Sequence, residues 1–533
     1  MRILLINMPT PPQLSFGRST QPLGLAYLAA MCVREGHEVE ILEGNRLRAT
    51  VDDLIGACLA GRYGVIGFSA TSPSYPYVAD VARRYRAAGG DALLVIGGHH
   101  VSAIGGHTAL QEAPELDVAV MGEGEAAFLE LVTRRDRGGD CATVAGTVAR
   151  GPAGVRGNPG RPLINDLDSL PLPARHLLPP LTEYAGVRRW PTLDVVPCAT
   201  LAASRGCPYR CTFCDIQMFY RRESGPMRRV RSPERVVDEM SVIREGYARL
   251  HFAFMDDLFP YAPNWIRRFT AALEEHGKPG TFSFAGRADQ IVRHPELLDL
   301  LARAGCSSIE MGIESGSQPV LDRYRKDLDV ATNLKAIQLV QRSGIRTIVD
   351  FIMFDPWTTL AELRENLAFL RAARTDAGFP TAVYTRLTFY PGTPLYDRWT
   401  AEGPLDENDP QWFRDPAVRE VWQALSEFRS ACQQGINDEV NTWRRIHRET
   451  RGSGDGLVRE LAVDSMYAAR RLPYRVLEDL VTAASAGELR TAKADVLQRA
   501  LQSVRDLAQQ REALPAQAVP SGQVREFDAL LSS

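Results

Sequence analysis

The sequence predicts an α/β protein built from an N-terminal doubly wound domain, a partial (β/α)6 barrel and a helical C-terminal domain. Three observations predict it. Short continuous apolar runs alternate with amphipathic helical stretches up to about residue 132. A Gly- and Pro-rich stretch interrupts that pattern around residues 150 to 190. A second strand and helix alternation begins near Thr192 and fades at about residue 405.

The first alternation reads RILLIN, GLAYLAAMCVREG, EVEILE, VDDLIGACLAG and YGVIGFSA, then VADVARRYRAAGG, ALLVIGG and DVAVMGEGE. Unbroken apolar strands separated by helices imply a parallel sheet covered on both faces, so residues 1–150 form a Rossmann-like domain. Residues 151–190 have no period and read as a linker. In residues 191–404 the strands are LDVVPCATLAAS, RLHFAFMDD, GTFSFAGRAD, CSSIEMGIES, IRTIVDFIMF and AVYTRLTFY, and several intervening helices open on Pro or Thr. Six such units make a partial barrel whose site gathers at the strands' carboxyl ends. Residues 405–533 keep a helical period, and the segment PAQAVPSGQVREFDALLSS is expected to be partly disordered.

The 533 residues carry 62 basic and 65 acidic side chains, a formal charge of −3. Such balance offers no field for nucleic acid or for anionic membranes. The opening MRILLINMP is too short for a secretory apolar core and reads as a first strand. No run approaches the roughly 20 apolar residues of a membrane span, so a cytoplasmic protein is expected, with no nucleic-acid or membrane partner. Nine cysteines in such a chain are not a disulfide framework. Cys32, Cys58, Cys141, Cys198, Cys306 and Cys432 are scattered and read as small buried hydrophobes.

The other three cluster in SRGCPYRCTFCDI, at spacings of four and three, in a loop directly after a predicted strand. So compact a wrap brings three thiolates onto one inorganic cluster or metal. A four-iron cluster ligated by Cys207, Cys211 and Cys214 keeps one iron open, which turns an electron-transfer centre into a reaction centre. The competing readings are a structural zinc site with a distant fourth ligand and a chance spacing. Zinc sites usually pair C-x-x-C knuckles or add histidines at matching spacing, and this segment has neither.

With the aromatic Phe213 before its last cysteine, the segment resembles the C-x-x-x-C-x-x-C signature of the radical S-adenosylmethionine superfamily. The resemblance implies that the open iron chelates the amino and carboxylate groups of S-adenosylmethionine and that one electron cleaves the sulfonium to a 5′-deoxyadenosyl radical. It also implies that Asp256 and Asp257 of MDDLF, Arg287 of FAGRAD, and Glu314 and Ser315 of EMGIESGS line the S-adenosylmethionine pocket beside Phe213. FYPGTPLYD resembles the family's closing segment after the sixth strand. The plainer reading of Asp256, Asp257 and Arg287 is a strand-end cap or a surface ion pair.

The first domain, through QPLGLAYLAAMCVREGHEV, GFSATSPS, VIGGHH and MGEGE, resembles the cobalamin-binding module fused ahead of one branch of that superfamily. The resemblance implies contacts from Gly97, Gly98, Gly122 and Gly124, whose backbone lets a flat macrocycle approach. Ser69, Thr71 and Ser72 would bond its tail or amides, with His99 and Glu123 in the same loops. The D-x-H-x-x-G run that supplies a histidine below cobalt is absent, so His99, His100 and His107 are read as loop or tail contacts and not as cobalt ligands. The alternative is a set of ordinary tight turns in a flavodoxin-like sheet.

The cofactors expected are thus a 4Fe-4S cluster, S-adenosylmethionine and cobalamin. Together they imply a cobalamin-dependent C-methyltransferase acting on an unactivated carbon of a small-molecule natural-product intermediate, as in antibiotic biosynthesis, and served by an electron donor such as flavodoxin or ferredoxin. Two alternatives stay open: a cyclase or rearrangement enzyme with the same cofactors, and a cobalamin-binding sensor or carrier whose cluster is structural. Tyr384, Arg386, Tyr390 and the helical C-terminal part are read as shaping the substrate pocket or, equally, as barrel packing.

Overall fold

The computed structural model describes residues 1–11, 20–188, 195–220, 224–376, 378, 381–403, 409–450 and 456–514. The terminal segment expected to be partly disordered, residues 515–533, lies wholly outside these residues. The chain folds into two compact units. One comprises Met1–Glu310, Leu339–Thr347 and Phe389–Thr400; the other comprises Met311–Gln338, Ile348–Thr388 and the chain from Ala401 onward. The division therefore cuts through the fourth barrel strand.

The N-terminal sheet has seven strands, β1 (Arg2–Asn7), β2 (Glu38–Glu43), β3 (Val65–Ser69), β4 (Leu93–Gly97), β5 (Val118–Val120), β6 (Thr147–Gly151) and β7 (Gly154–Gly157), in the order β2-β1-β3-β4-β5-β6-β7. The first five pair in parallel, and β6 and β7 add antiparallel strands at one edge. Strand β7 lies within the stretch read as a linker. Side chains alternate faces along a strand, which explains the unbroken apolar runs: Leu4, Ile6, Ile66, Phe68, Leu94 and Ile96 enter one core, whereas Ile3, Leu5, Val65 and Val95 enter the other. The order reverses at β1, which opens a crevice at the carboxyl ends of β1 and β3.

A second sheet contains β8 (Cys198–Leu201), β9 (His251–Phe254), β10 (Thr281–Gly286), β11 (Cys306–Glu314) and β12 (Arg346–Phe351), hydrogen-bonded in chain order, with β8, β9 and β10 parallel. Phe254, Phe259, Phe269, Phe282 and Phe284 interlock behind it, Phe259 stacking on Phe284 at 4.2 Å. The sixth strand expected over AVYTRLTFY is not formed. Ala382–Tyr384 is a 3-10 turn, and one isolated parallel bridge joins Phe354 to Arg386. The Thr385 hydroxyl takes the Met353 amide at 3.1 Å and donates to the Ala382 carbonyl at 2.7 Å. The Phe354 amide donates to the Thr385 carbonyl at 3.1 Å and the Leu387 amide to the Phe354 carbonyl at 2.8 Å, so the ladder is confined to that one bridge.

The second unit ends in helices Pro416–Glu449, Gly456–Ser485 and Leu489–Glu512. Asp415 caps the first through the Ala417 amide, with Pro416 at its first position. Its buried stripe, Val418, Val421, Leu425, Phe428, Cys432, Ile436 and Trp443, has the three-and-four spacing of an apolar helix face. No helix among the described residues is long and apolar enough to cross a membrane. Of the scattered cysteines, five are buried and Cys141 is half-buried.

Candidate active site

Past β8 the chain makes a short antiparallel ribbon, Ser204–Arg205 with Arg229–Val230, and turns at Gly206. Gly206 has φ +80°, and a Cβ there would sit 1.7 Å from the Met227 carbonyl oxygen, so no other residue fits. The adjacent aspartates at the end of β9 hold this turn. Asp256 accepts from the Ala203 amide at 3.1 Å and from the Ser204 hydroxyl, and burial pushes its carboxyl up to about 7 despite those bonds. Asp257 accepts from the Gly206 amide at 2.7 Å. Arg228 donates to the Gly206 carbonyl at 3.1 Å.

Cys207, Cys211 and Cys214 follow, half-buried and outside any disulfide. Gln217 ties the loop by donating to the carbonyls of Cys207, at 3.2 Å, and Tyr209. The closing segment seats on it: the Leu395 amide donates to the Thr212 carbonyl at 3.1 Å, and Met218 fills the space beside Gly392, whose φ is +82°. Half-buried Phe213 lies within the same turn. Burial raises the Cys207 thiol and pushes Cys214 up to about 12, so iron binding must take the thiolate form that burial alone disfavours. Among the described residues no three His, Cys, Asp or Glu side chains converge as a single ion requires. A cubane asks for less, because each cysteine binds a different iron.

Arg287, at the end of β10, lies 3.6 Å over the ring of Tyr209 and pairs with Asp289 at 2.8 Å. Tyr209 in turn donates to Asp289 at 3.3 Å. One cation–π contact thus joins the arginine to the span between two cysteines. In the second unit, Glu314 ends β11 with φ +63° and pairs with Lys326 at 2.9 Å. Ser315 donates to Asn366 at 2.7 Å.

A cavity of about 460 Å³ opens at the carboxyl ends of the N-terminal sheet, within the size range of small-molecule sites. Ser69, Gly97, Gly98, His99, Gly122, Glu123 and Gly124 line it. Gly98 has φ +106°, and a Cβ there would meet the Ala70 carbonyl at 2.8 Å. Flat backbone on this wall fits the face of a macrocycle. Thr71 and Ser72 lie outside the lining. The Thr71 amide bonds Ser74, and Ser72 bonds His100, both at 2.9 Å, closing the turn before the helix Tyr75–Ala87.

The opposite wall is formed by residues leading to and from the cysteine loop, among them Ser204, Arg205, Phe219 and Tyr220, and by Met255 and Asp257 after β9. Phe219 packs on His99, ring centroids 4.8 Å apart. Several of these residues carry no motif and escape sequence reading. So does a buried ion network: Glu123 pairs with Arg205 at 2.9 Å and Arg229 at 2.6 Å and accepts the Ile164 amide at 2.8 Å, while Arg205 also pairs with Glu125 at 2.6 Å. The Glu123 carboxylate is therefore committed to arginines as well as lining the cavity.

Known families match both halves of this site. The B12 binding domain matches residues 13–132 and the radical SAM superfamily residues 201–370. The chain is a cobalamin-dependent radical S-adenosylmethionine enzyme. Its methyltransferase-like character rests on its relatives. It is 29% identical over 399 residues to an uncharacterised methyltransferase of Pyrococcus horikoshii, covering 74% of this chain and 83% of that protein. It is 27% identical over 377 residues to the anaerobic magnesium-protoporphyrin IX monomethyl ester cyclase of Rubrivivax gelatinosus, covering 69% of this chain and 65% of that protein. Its fold matches that of the cobalamin-dependent S-adenosylmethionine radical enzyme OxsB with aqua-cobalamin bound, with TM-score 0.77 at 19% identity, over 100% of this chain and 83% of that one. The enzyme's cofactors are an iron–sulfur cluster, S-adenosylmethionine and cobalamin.

Proposed function

We propose that this radical enzyme methylates an unactivated carbon of a small-molecule natural-product intermediate. The observation that carries the reading is Asp257. Its carboxylate lines the cavity assigned to cobalamin and also holds the amide of Gly206, the residue before Cys207. A methyl donor seated in that cavity would therefore adjoin the radical source, as one-carbon transfer to a short-lived radical requires.

When bound, the cluster, S-adenosylmethionine and cobalamin supply hydrogen abstraction and the methyl donor. The chain's residues hold and orient them. Cys207, Cys211 and Cys214 would give three thiolates to a four-iron cluster and leave one iron open to S-adenosylmethionine. Arg287 offers a guanidinium to a carboxylate, a charge-assisted contact, and Tyr209 fixes its plane over the cysteine loop. Asp256 and Asp257 keep that loop closed, Phe213 packs within it, Glu314 accepts from a nucleoside hydroxyl, and buried Ser315 braces the backbone beside it through Asn366. Gly97, Gly98, Gly122 and Gly124 present backbone to the corrin, with Ser69, His99 and Glu123 around them. Thr71 and Ser72 brace the loop beside it. On this reading residues 1–150 carry cobalamin, 151–190 link, and 191–404 bind the cluster and S-adenosylmethionine. A flavodoxin or ferredoxin would deliver the electron.

The test is turnover with methyl-deuterated S-adenosylmethionine and candidate substrates. A product heavier by the labelled methyl supports methylation. The likeness to a ring-forming cyclase favours a second reading, in which deoxyadenosine forms and the product gains no methyl. Absence of deoxyadenosine would point to a carrier with a structural cluster.

A further inference from the structure

Among the described residues, six non-glycine residues have positive φ: Arg48, Lys278, Glu314, Arg325, Asp327 and Arg374. Three of them surround one ion pair. Glu314 has φ +63°, and Lys326, which holds its Oε1 at 2.9 Å, stands between Arg325 at +46° and Asp327 at +51°. Both side chains of the pair are about 10% exposed. The same contact occupies the space beside Gly312. A Cβ on Gly312 would lie 2.6 Å from Glu314 Oε1 and 2.9 Å from Lys326 Nζ.

The backbone around the carboxylate is held as firmly. The Ile352 amide donates to the Glu314 carbonyl at 2.7 Å. Asn366 Oδ1 accepts from both the Ser315 hydroxyl and the Gly316 amide at 2.7 Å. A pair that served only to bridge two elements could sit on unstrained backbone, and buried pairs bring little net stability. Strained residues persist where surroundings overdetermine them for a purpose, and function is the usual one. What the strain achieves here is one fixed direction for one carboxylate.

We infer that Lys326 is a positioning residue: it locks Glu314 through Oε1 so that Oε2 accepts a ribose hydroxyl of the bound nucleoside. The inference rests on the reading of Glu314 as an S-adenosylmethionine contact. A charged acceptor held in place makes a stronger bond than one that must first stop rotating, so the effect belongs to the ligand's hydroxyl and not to its sulfur or adenine.

The test compares S-adenosylhomocysteine with its 2′-deoxy counterpart by calorimetry on the cluster- and cobalamin-loaded enzyme. Wild type should prefer the ribo ligand by roughly tenfold, and Lys326→Met should abolish most of that preference, with Lys326→Arg restoring part of it. Gly312→Ala keeps both charges yet displaces the pair, so it should also reduce the preference; it decides the matter if Lys326→Met does not fold. Equal preference in wild type, Lys326→Met and Gly312→Ala would overturn the positioning role. Glu314→Gln separates the two readings. If it leaves ribo-ligand affinity unchanged, the assignment of Glu314 itself fails. If it weakens that affinity while Lys326→Met does not, only the inference about Lys326 fails.

Discussion

Asp257 accepts a hydrogen bond from the amide of Gly206 at 2.7 Å, and through that bond the end of strand β9 fixes the first turn of the cysteine loop. Asp257→Asn keeps an acceptor but loses its charge, whereas Asp257→Ala leaves the amide without a partner. Charge-assisted bonds are worth about 1.5–3 kcal/mol and neutral ones about 1. Deoxyadenosine formation should therefore fall several-fold in Asp257→Asn and further in Asp257→Ala, as followed by chromatography. Equal rates in all three proteins would remove Asp257 from the account.

Gly206→Ala should cost the cluster. The new Cβ would meet the Met227 carbonyl at 1.7 Å, and a non-glycine residue at positive φ adds about 1–3 kcal/mol of strain. Iron and sulfide content after reconstitution should drop well below that of wild type, while far-ultraviolet circular dichroism stays unchanged. Full iron content would show that the loop does not need this turn.

The Glu123 network is a stability element that the cavity borrows. Glu123→Ala leaves Arg205 and Arg229 without a shared buried carboxylate, a loss of about 3–5 kcal/mol for one partner of a buried pair. The melting temperature should fall by several degrees, measured by calorimetry. An unchanged melting temperature would mean that the arginines find other partners.

Asp256 predicts a pH dependence of stability. Its carboxyl is pushed up to about 7 from the usual value of 3.8, chiefly by burial. The folded state then binds more protons than the unfolded state between about pH 4 and 7, so this group's contribution to stability declines as pH rises through that window. Glu43, also pushed up to about 7 by burial, acts in the same direction. In urea unfolding between pH 5 and 8, Asp256→Asn should show a shallower decline than wild type, with Glu43 supplying the remainder. Parallel profiles would contradict the assignment.

Much of this molecule was legible in its sequence because it depends on local pattern. The runs RILLIN and ALLVIGG announce strands buried on both faces, and the spacing of Cys207, Cys211 and Cys214 announces a cluster loop. The segment AVYTRLTFY has strand composition, yet its first residues wind into the 3-10 turn Ala382–Tyr384, and the backbone pairing that follows is a single bridge between Phe354 and Arg386. For Thr71 and Ser72 the sequence does not distinguish a ligand contact from a turn brace, because polar residues at a strand end look alike, whereas the fold shows their bonds to Ser74 and His100. The Glu123 to Arg205 pair spans 82 residues, and the space beside Gly312 is taken by an ion pair that includes a lysine fourteen positions on. No periodicity encodes such partners, since they meet only once the chain has folded.

The most direct test of the central claim is deoxyadenosine formation by anaerobically reconstituted enzyme supplied with cobalamin, S-adenosylmethionine and dithionite, compared with Cys211→Ala. Wild type should form deoxyadenosine and Cys211→Ala none, with cobalamin bound equally by both. Deoxyadenosine from Cys211→Ala at the wild-type rate, or its absence from a wild-type protein carrying a full cluster, would contradict that claim.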